Sequence, residues 1–365
     1  MDFLFTPEQD EAADLAARII GDLATNERLK TIERGDGDRF DAELWQELAS
    51  AGLLSLAVPE EYGGAGLGLV ELARILVEIG RKVAAVPLAV HGAAAVLIAD
   101  AGTEAQRKAW LPAAASGEKL LTAAVAEERS HLPALPTVAA SETGAGWSLS
   151  GTKTLVRAGL RADALLVTAT TPDGVGVFLV DPTERGVDRA AQRTSDADQA
   201  ALITFVAAPA ELVGSADGST AAHLADLLVA CAAAEQLGVT EGALALTAAY
   251  AKTREQFGRP IGTFQAVSQR LADGFIDVLS QRLTLWQAVW RLQEGLEART
   301  EVAVAKLWAA DSGHRIAHTT VHVHGGVGID LDGDAHRYFT AAKRFEFLFG
   351  GANDQSLAIG RSFAG

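Results

Sequence analysis

The sequence predicts an α+β fold in three consecutive regions: a helical N-terminal domain over residues 1–117, a central β-domain over 118–212 and a C-terminal four-helix bundle over 213–365. Three observations lead to it. A chain of 365 residues exceeds one hydrophobic core and divides into two or three domains. Long patterns of helical period fill both ends, whereas the middle breaks into short runs rich in Val, Thr and Leu with Gly, Pro and Asp between them. An apolar fraction of 49% with 21% charged residues is enough to bury several cores and excludes a disordered chain.

The first region opens on Thr6-Pro7-Glu8-Gln9, an N-cap followed by proline at the first helical position and glutamine at N3. Helical patterns continue through EAADLAARIIGDLA, AELWQELASAGLLSL, GLVELARILVEIGRKVA and the apolar run before Gly102. Pro59 and the pair Gly63-Gly64 make VPEEYGGAGLG a turn and loop. Strands are predicted for LLTAAVA, WSLSGTKTLVRAG, ADALLVTATT, GVGVFLVDP and ALITFVAAP. After Ser215-Ala216-Asp217-Gly218-Ser219 come the helices TAAHLADLLVACAAAEQLGVTEGALALTAAYAKTREQFG and AVSQRLADGFIDVLSQRLTLWQAVWRLQEG. The second carries apolar residues at 267, 271, 275, 278 and 279, continued by Leu283, Leu285 and Trp286, a stripe of 3.6-residue period. A third helix, TEVAVAKLWAADSGHRIAHTTVHVHGG, and a last one, DAHRYFTAAKRFEFLFGGANDQSLAIGRSF, complete the bundle.

Charge and cysteine usage narrow the function classes. Asp and Glu outnumber Lys and Arg by 47 to 31, a formal charge of −16, with no basic cluster beyond pairs such as Lys343–Arg344. Nucleic acid would be bound against that field, so it is not an expected partner. The N-terminus MDFLFTPEQDEAADL lacks a basic stretch leading into an apolar one, and no segment reads as 18 uncharged apolar residues. A cytoplasmic protein without membrane contact is expected. The single cysteine, Cys231 in LVACAAA, reads as helix core rather than nucleophile.

Two segments point to chemistry. TREQFGRPIGTFQAV at 253–267 links two long helices, and Arg254 there is either a fork for anionic oxygens or the partner of a neighbouring acid such as Glu255. HVHGGVGID at 322–330 packs three glycines into four positions behind a helix, which allows close backbone approach to a ligand. It is not a dinucleotide fingerprint, since no strand precedes it and the G-x-G-x-x-G spacing is absent. His314, His318 and His322 recur every four residues, but a span of about 12 Å is too long for three ligands of one ion. They read as a polar stripe, and no metal is expected. Tyr62 is expected to fill a loop and Arg337 to cap or ion-pair a helix.

Taken together, VPEEYGGAG at 58–66, GTKTLV at 151–156, ADALLV at 162–167, YAKTREQFGRPIGTFQAV, HVHGGVGI and the terminal helix with its GxN-like turn resemble the acyl-CoA dehydrogenase family over essentially the whole chain. The resemblance implies that family's fold, a tetramer built as a dimer of dimers, and FAD held in extended form at a subunit interface. It also implies a reaction in which a carboxylate removes the α proton of an acyl-CoA while the β hydride passes to the flavin, giving a 2-enoyl-CoA. Electrons then go to an electron-transferring flavoprotein. Such a proton is too weakly acidic for a carboxylate unless the thioester carbonyl is polarised, so loss of the base removes the reaction even in an intact fold.

This chain departs from the family at that base. Where many members read aromatic-Glu-Gly-Thr-Asn, it has Phe349, Gly350, Gly351, Ala352 and Asn353, so Gly350 stands at the base position. In a second branch the base comes from the helix before the TREQFG-like segment, and the matching residue here is Leu228. Asp226 is turned by roughly 200° from it and Glu235 is displaced by about 10 Å. Glu346, one turn before Gly350, is the best internal candidate for a displaced base. The ring side of the flavin site departs too: VAEERSHL at 125–132 replaces a Thr-Glu-Pro-like stretch, and Leu155 and Arg157 replace an aromatic residue and a Thr or Ser.

The half that would hold the adenine and pyrophosphate is better matched, by Arg254, Phe257, Gln265, Gly325, Gly326 and Gly328, with His322 in place of a glutamine. The resemblance therefore implies a subunit without catalytic residues of its own, which completes the FAD site of a partner and is inactive without it. It is similar to the smaller-role subunit of actinobacterial α2β2 dehydrogenases acting on CoA thioesters of steroid side chains in cholesterol catabolism. The alternatives are an active homotetramer with a displaced base and a non-enzymatic flavin or acyl-CoA binding protein.

Overall fold

The computed structural model describes residues 4–35, 38–144 and 146–363. It has the α+β order that the resemblance implies: helices, then a β-domain, then a helical bundle. The leading residues 1–3, on which part of the reading of the N-terminus rests, lie outside the described residues. The chain separates into two compact units. One comprises residues 38–72 and 86–231, the other 1–37, 73–85 and 232–365.

In the first unit, α3 (Ala42–Ser50), α5 (Leu88–Ala101) and α6 (Glu104–Ala115) precede the strands. The sequence LAVHGAAAVLIADA of α5 is apolar around its whole circumference, and the helix is accordingly buried on all sides. Its one polar interior residue, His91, is fully satisfied. Nε2 donates to Ala114 O at 3.2 Å and Nδ1 accepts from Leu121 N at 3.2 Å. Burial pushes its imidazole down to about 4, so the ring is neutral and pins α5 to α6 and to the first strand. Residues 51–56, read as helix from the pattern AELWQELASAGLLSL, instead form turns, because α3 ends at Ser50 and Gly52 takes φ +74°.

Among the described residues the unit has seven strands: β1 (Leu121–Ala124), β2 (Ala139–Thr143), β3 (Gly146–Arg157), β4 (Ala164–Thr171), β5 (Gly174–Val180), β6 (Val187–Arg193) and β7 (Gln199–Val213). The order is β1-β4-β2-β3-β7-β5, with β6 on β7, and β4 also pairs with β5, so the sheet closes on itself. Closure leaves few edges, and the inward faces of β4 and β5 are almost wholly buried. The sequence reading lacked β2 and β6; their AASET and VDRAAQR are largely exposed and carry little β-branched or aromatic signal.

In the second unit, α1 (Pro7–Leu23) begins with the predicted capping box of Thr6 and Gln9, and α2 (Asn26–Arg34) follows. Helix α4 (Leu69–Arg81) and helix α7 (Ser219–Thr253) contribute their later residues. They approach closely: a β-carbon on Gly238 would stand 1.9 Å from Val77 O. Arg337 ion-pairs with Glu33 through two 2.9 Å contacts, the structural role expected of it. Helix α7 is long and apolar enough to cross a membrane, but 89% of its apolar window is buried in the protein, and its Cys231 is buried too.

A hairpin of β8 (Glu255–Gln256) and β9 (Arg259–Pro260) joins α7 to α8 (Gln265–Gln293), followed by α9 (Arg299–His324), α10 (Ala335–Phe347) and α11 (Ala352–Ser362). One expectation for this bundle needs correction. The last predicted helix is interrupted, since Phe349 and Gly350 take φ +60° and +97° and cannot continue a right-handed helix. The apolar stripe of α8 is not one buried face. Val278 and Leu285 are buried beside Gly274, Asp277 and Gln281, while Phe275, Leu279 and Leu283 are exposed. Asp277 can face inward because Arg315 forks it at 2.7 and 2.8 Å.

Candidate cofactor and active site

Arg254 is the first residue after α7. Its N–H donates to Tyr250 O at 2.8 Å and its carbonyl accepts from Ile261 N at 2.8 Å, which fixes the base of the hairpin. The guanidinium is exposed and forms no ion pair among the described residues, so Glu255 does not neutralise it. At the hairpin tip Phe257 and Gly258 have φ +53° and +77°, the left-handed pair of a two-residue turn. Phenylalanine is a poor choice there by about 1 kcal/mol or more. Yet Phe257 is 93% exposed, so no internal packing recovers that strain. Its ring meets Phe264 edge-on at 6.1 Å, and the Arg259 guanidinium lies 4.3 Å from the Phe264 centroid. Gln265 opens α8 with its side chain exposed.

The glycine loop continues α9 as a 3-10 turn, Gly325–Ile329. Its glycines answer to different demands. Gly325 has φ +65° and ψ −140°, a conformation for glycine alone. A β-carbon on Gly328 would stand 3.0 Å from Val321 O and His324 Cβ. Around Gly326 nothing lies within 4 Å, so nothing in this chain requires glycine there. His322 is exposed on the last turn of α9. The structure joins the hairpin end of α7 to this loop through Tyr250 and His324, whose rings stack at 4.3 Å and 22°. Sequence reasoning missed this pair; an aromatic residue four before the arginine was its only signal.

At the base position, Gly350 has φ +97°, and a β-carbon would stand 3.0 Å from Gln355 Nε2 and 3.1 Å from Asp354 Cβ. The turn is held from both sides. Buried Lys306 donates to Phe345 O at 2.9 Å and Glu346 O at 3.3 Å, and Gln355 donates to Phe349 O at 3.1 Å. Burial pushes Lys306 down to about 7, against the pull of Glu346 and Asp354. The Glu346 carboxylate accepts from Lys343 and lies 3.1 Å from His314 Nδ1 through each oxygen. His314 in turn lies against His318, ring to ring at 4.5 Å. Leu228, at the other branch's base position, is buried in α7.

On the β-domain side, Leu155 has φ +52° and its N–H is taken by Gln192 Oε1 at 2.8 Å. Arg157 is buried, with Nε 3.3 Å from Asp198 Oδ2. Arg161 forks Asp38 through two 2.7 Å bonds and lies over the Phe40 ring at 4.2 Å. Hydrogen bonding from Arg161 holds the Asp38 carboxyl below its usual range. Asp38, Phe40, Arg157, Arg161 and Asp198 line a cavity of about 20 Å³. That is room for about one water, whereas organic ligands occupy pockets of about 300–1,000 Å³. Elsewhere in the β-domain, Glu127 accepts from Lys153 Nζ at 2.8 Å, from Thr137 N and Oγ1 at 2.7 and 2.6 Å, and from Val138 N at 3.1 Å. Burial alone would raise this carboxyl, but the donors outweigh it and bring it to about 2. Tyr62, assigned no function, is buried and donates to Glu104 at 2.8 Å.

Comparison with known proteins agrees with this architecture. Residues 6–118 match the family model described as acyl-CoA dehydrogenase, N-terminal domain, and residues 229–363 the model described as acyl-CoA dehydrogenase, C-terminal domain. The chain is 44% identical to acyl-CoA dehydrogenase FadE27 of Mycobacterium tuberculosis over 100% of this chain and 99% of that protein. It is similar to a chain of the ChsE4-ChsE5 complex from Mycobacterium tuberculosis, with a TM-score of 0.94 and 44% identity, covering 100% of this chain and 99% of the other. It is equally similar to a chain of the Tcur3481-Tcur3483 steroid ACAD variant, with a TM-score of 0.94 and 43% identity over 98% of each. With two family models spanning both ends and full-length identity well above a third, the chain belongs to the acyl-CoA dehydrogenase family.

Proposed function

We propose that this chain is the base-deficient, cofactor-completing subunit of a heteromeric FAD-dependent acyl-CoA dehydrogenase that forms a 2-enoyl-CoA. The observation that carries the reading is the opposite condition of its two half-sites. Arg254, Phe257 and Gly326 are set out without an internal reason, while the ring side is closed by Arg157–Asp198 and Arg161–Asp38 and the base position is glycine. FAD, when bound, supplies the acceptor for the substrate's hydride. This chain's part is to bind: Arg254 presents donors to the pyrophosphate, the backbone at Gly325, Gly326 and Gly328 admits it closely, and Phe257, Gln265 and His322 cover the adenine half.

The exposed apolar residues Phe275, Ile276, Leu279, Leu283 and Trp290 on α8 favour an assembly over a free monomer. An α2β2 complex with a catalytic dehydrogenase subunit fits that surface. The steroid side-chain CoA thioester rests on the likeness to the steroid ACAD chain, and electron transfer to an electron-transferring flavoprotein rests on the family. The complex is assigned to the cytoplasm.

The deciding experiment is flavin content and acyl-CoA dehydrogenation of the chain alone and with its partner. Little flavin alone and two FAD per active α2β2 complex agree with the proposal. Four FAD and turnover in a homotetramer would sink it.

A further inference from the structure

The two arms of the proposed nucleotide cradle lie far apart in sequence, at 254–265 and 322–328, and each hangs from a helix end. Helix ends lack part of the backbone bonding of the interior, so their loops take their positions from side chains. Thr247, Tyr250 and Arg254 follow one another at i, i+3 and i+7 and lie on one face of α7. Thr320, His324 and Gly328 do the same at i, i+4 and i+8 along α9 and its 3-10 continuation.

One turn inside the ends, Thr247 Oγ1 donates to Thr320 Oγ1 at 3.0 Å. At the ends themselves the tie is the parallel stack of Tyr250 and His324, 4.3 Å between centroids. The residue that carries each ring leads directly into an arm. The Tyr250 carbonyl accepts from Arg254 N at 2.8 Å. His324 is bonded in sequence to Gly325, and its Cβ is one of the atoms against which Gly328 packs, at 3.0 Å from a β-carbon there. His324 is itself anchored, with Nδ1 donating to Thr320 O at 2.8 Å. A carbonyl can only accept, so that nitrogen carries the proton and the ring plane is fixed.

We propose that the Tyr250–His324 stack sets the spacing between the arginine arm and the glycine arm, making His324 and Tyr250 positioning residues for FAD. This inference rests on the shared-site reading above. A stack of this kind works by ring overlap, so phenylalanine at 324 substitutes for histidine where alanine does not.

The test is FAD affinity, read by flavin fluorescence, in the complex isolated on the tagged full-length chain, with Arg254→Ala as control. His324→Ala is expected to raise the FAD dissociation constant at least tenfold, as is Arg254→Ala. His324→Phe is expected to stay within threefold of the unmodified complex. If Arg254→Ala weakens FAD and His324→Ala does not, the positioning inference is overturned while the shared site stands. Unchanged affinity in Arg254→Ala overturns the shared site itself. A His324→Phe complex as weak as the alanine variant also overturns the inference, because the stack would then not be the cause. If His324→Ala does not assemble, Tyr250→Leu, which retains bulk without a ring, carries the same expected loss and the same refutation.

Discussion

Gln355 Nε2 donates to the carbonyl of Gly350 at 3.3 Å and lies 3.0 Å from where a β-carbon on that glycine would stand. The missing base is therefore built into the backbone. At φ +97° any L side chain is strained, by about 1–3 kcal/mol. Gly350→Glu is expected to lower the stability of the chain by that amount and to give no acyl-CoA dehydrogenation by the chain alone. Turnover assays beside thermal unfolding check this; a variant that turns over at unchanged stability would show that the turn readily accepts a carboxylate.

How far the sequence led differs by element. Order and type of the long helices and inner strands were legible because their apolar residues recur with the period of the structure they form. The break at Phe349 and Gly350 was hidden inside an unbroken helical pattern, since positive φ leaves no mark on apolar periodicity. The outward turn of Phe275 and Leu283 was hidden for a related reason: a stripe shows that a face is apolar, not what covers it. Glycine at 350 was visible as a lost carboxylate, but the salt-bridged closure by Arg157 and Arg161 needed partners, Asp198 and Asp38, that are distant in sequence.

Glu346 separates the proposed subunit from an active homotetramer. Its carboxylate is held by Lys343 and His314, which links α10 to α9. Glu346→Gln is expected to leave dehydrogenation by the assembled complex within twofold and to cost about 1 kcal/mol or more of stability, as expected for a partly buried ion-pair network. A fall of a hundredfold or more in kcat, with flavin still bound, would identify Glu346 as the base.

Phe257 offers a test in which stability and binding move in opposite directions. Its strained φ is relieved by glycine, so Phe257→Gly is expected to leave the chain as stable or up to about 1 kcal/mol more stable. Because the ring is exposed and assigned to the adenine half, the same change is expected to weaken FAD at least tenfold in the complex. Flavin titration and chemical denaturation measured on the same preparation check both signs. Retained affinity would remove Phe257 from the site.

The buried pair Glu127–Lys153 predicts the acid limb of stability. In the fold the carboxyl is brought from 4.5 to about 2, so the folded state binds its proton less readily than the unfolded chain does. A depressed carboxyl stabilises above the unfolded value, and that contribution is lost as pH falls through the folded one. The window in which this contribution is lost thus runs from about 4.5 down to about 2. Glu127→Gln keeps the shape and part of the hydrogen bonding but removes the charge opposite Lys153. The variant is expected to be markedly less stable than the unmodified chain at pH 7, with the gap narrowing below pH 4.5 and closing near pH 2. Denaturant unfolding of the β-domain at several pH values measures that gap, and a gap constant between pH 7 and pH 3 would mean that Glu127 is not ionised in the fold.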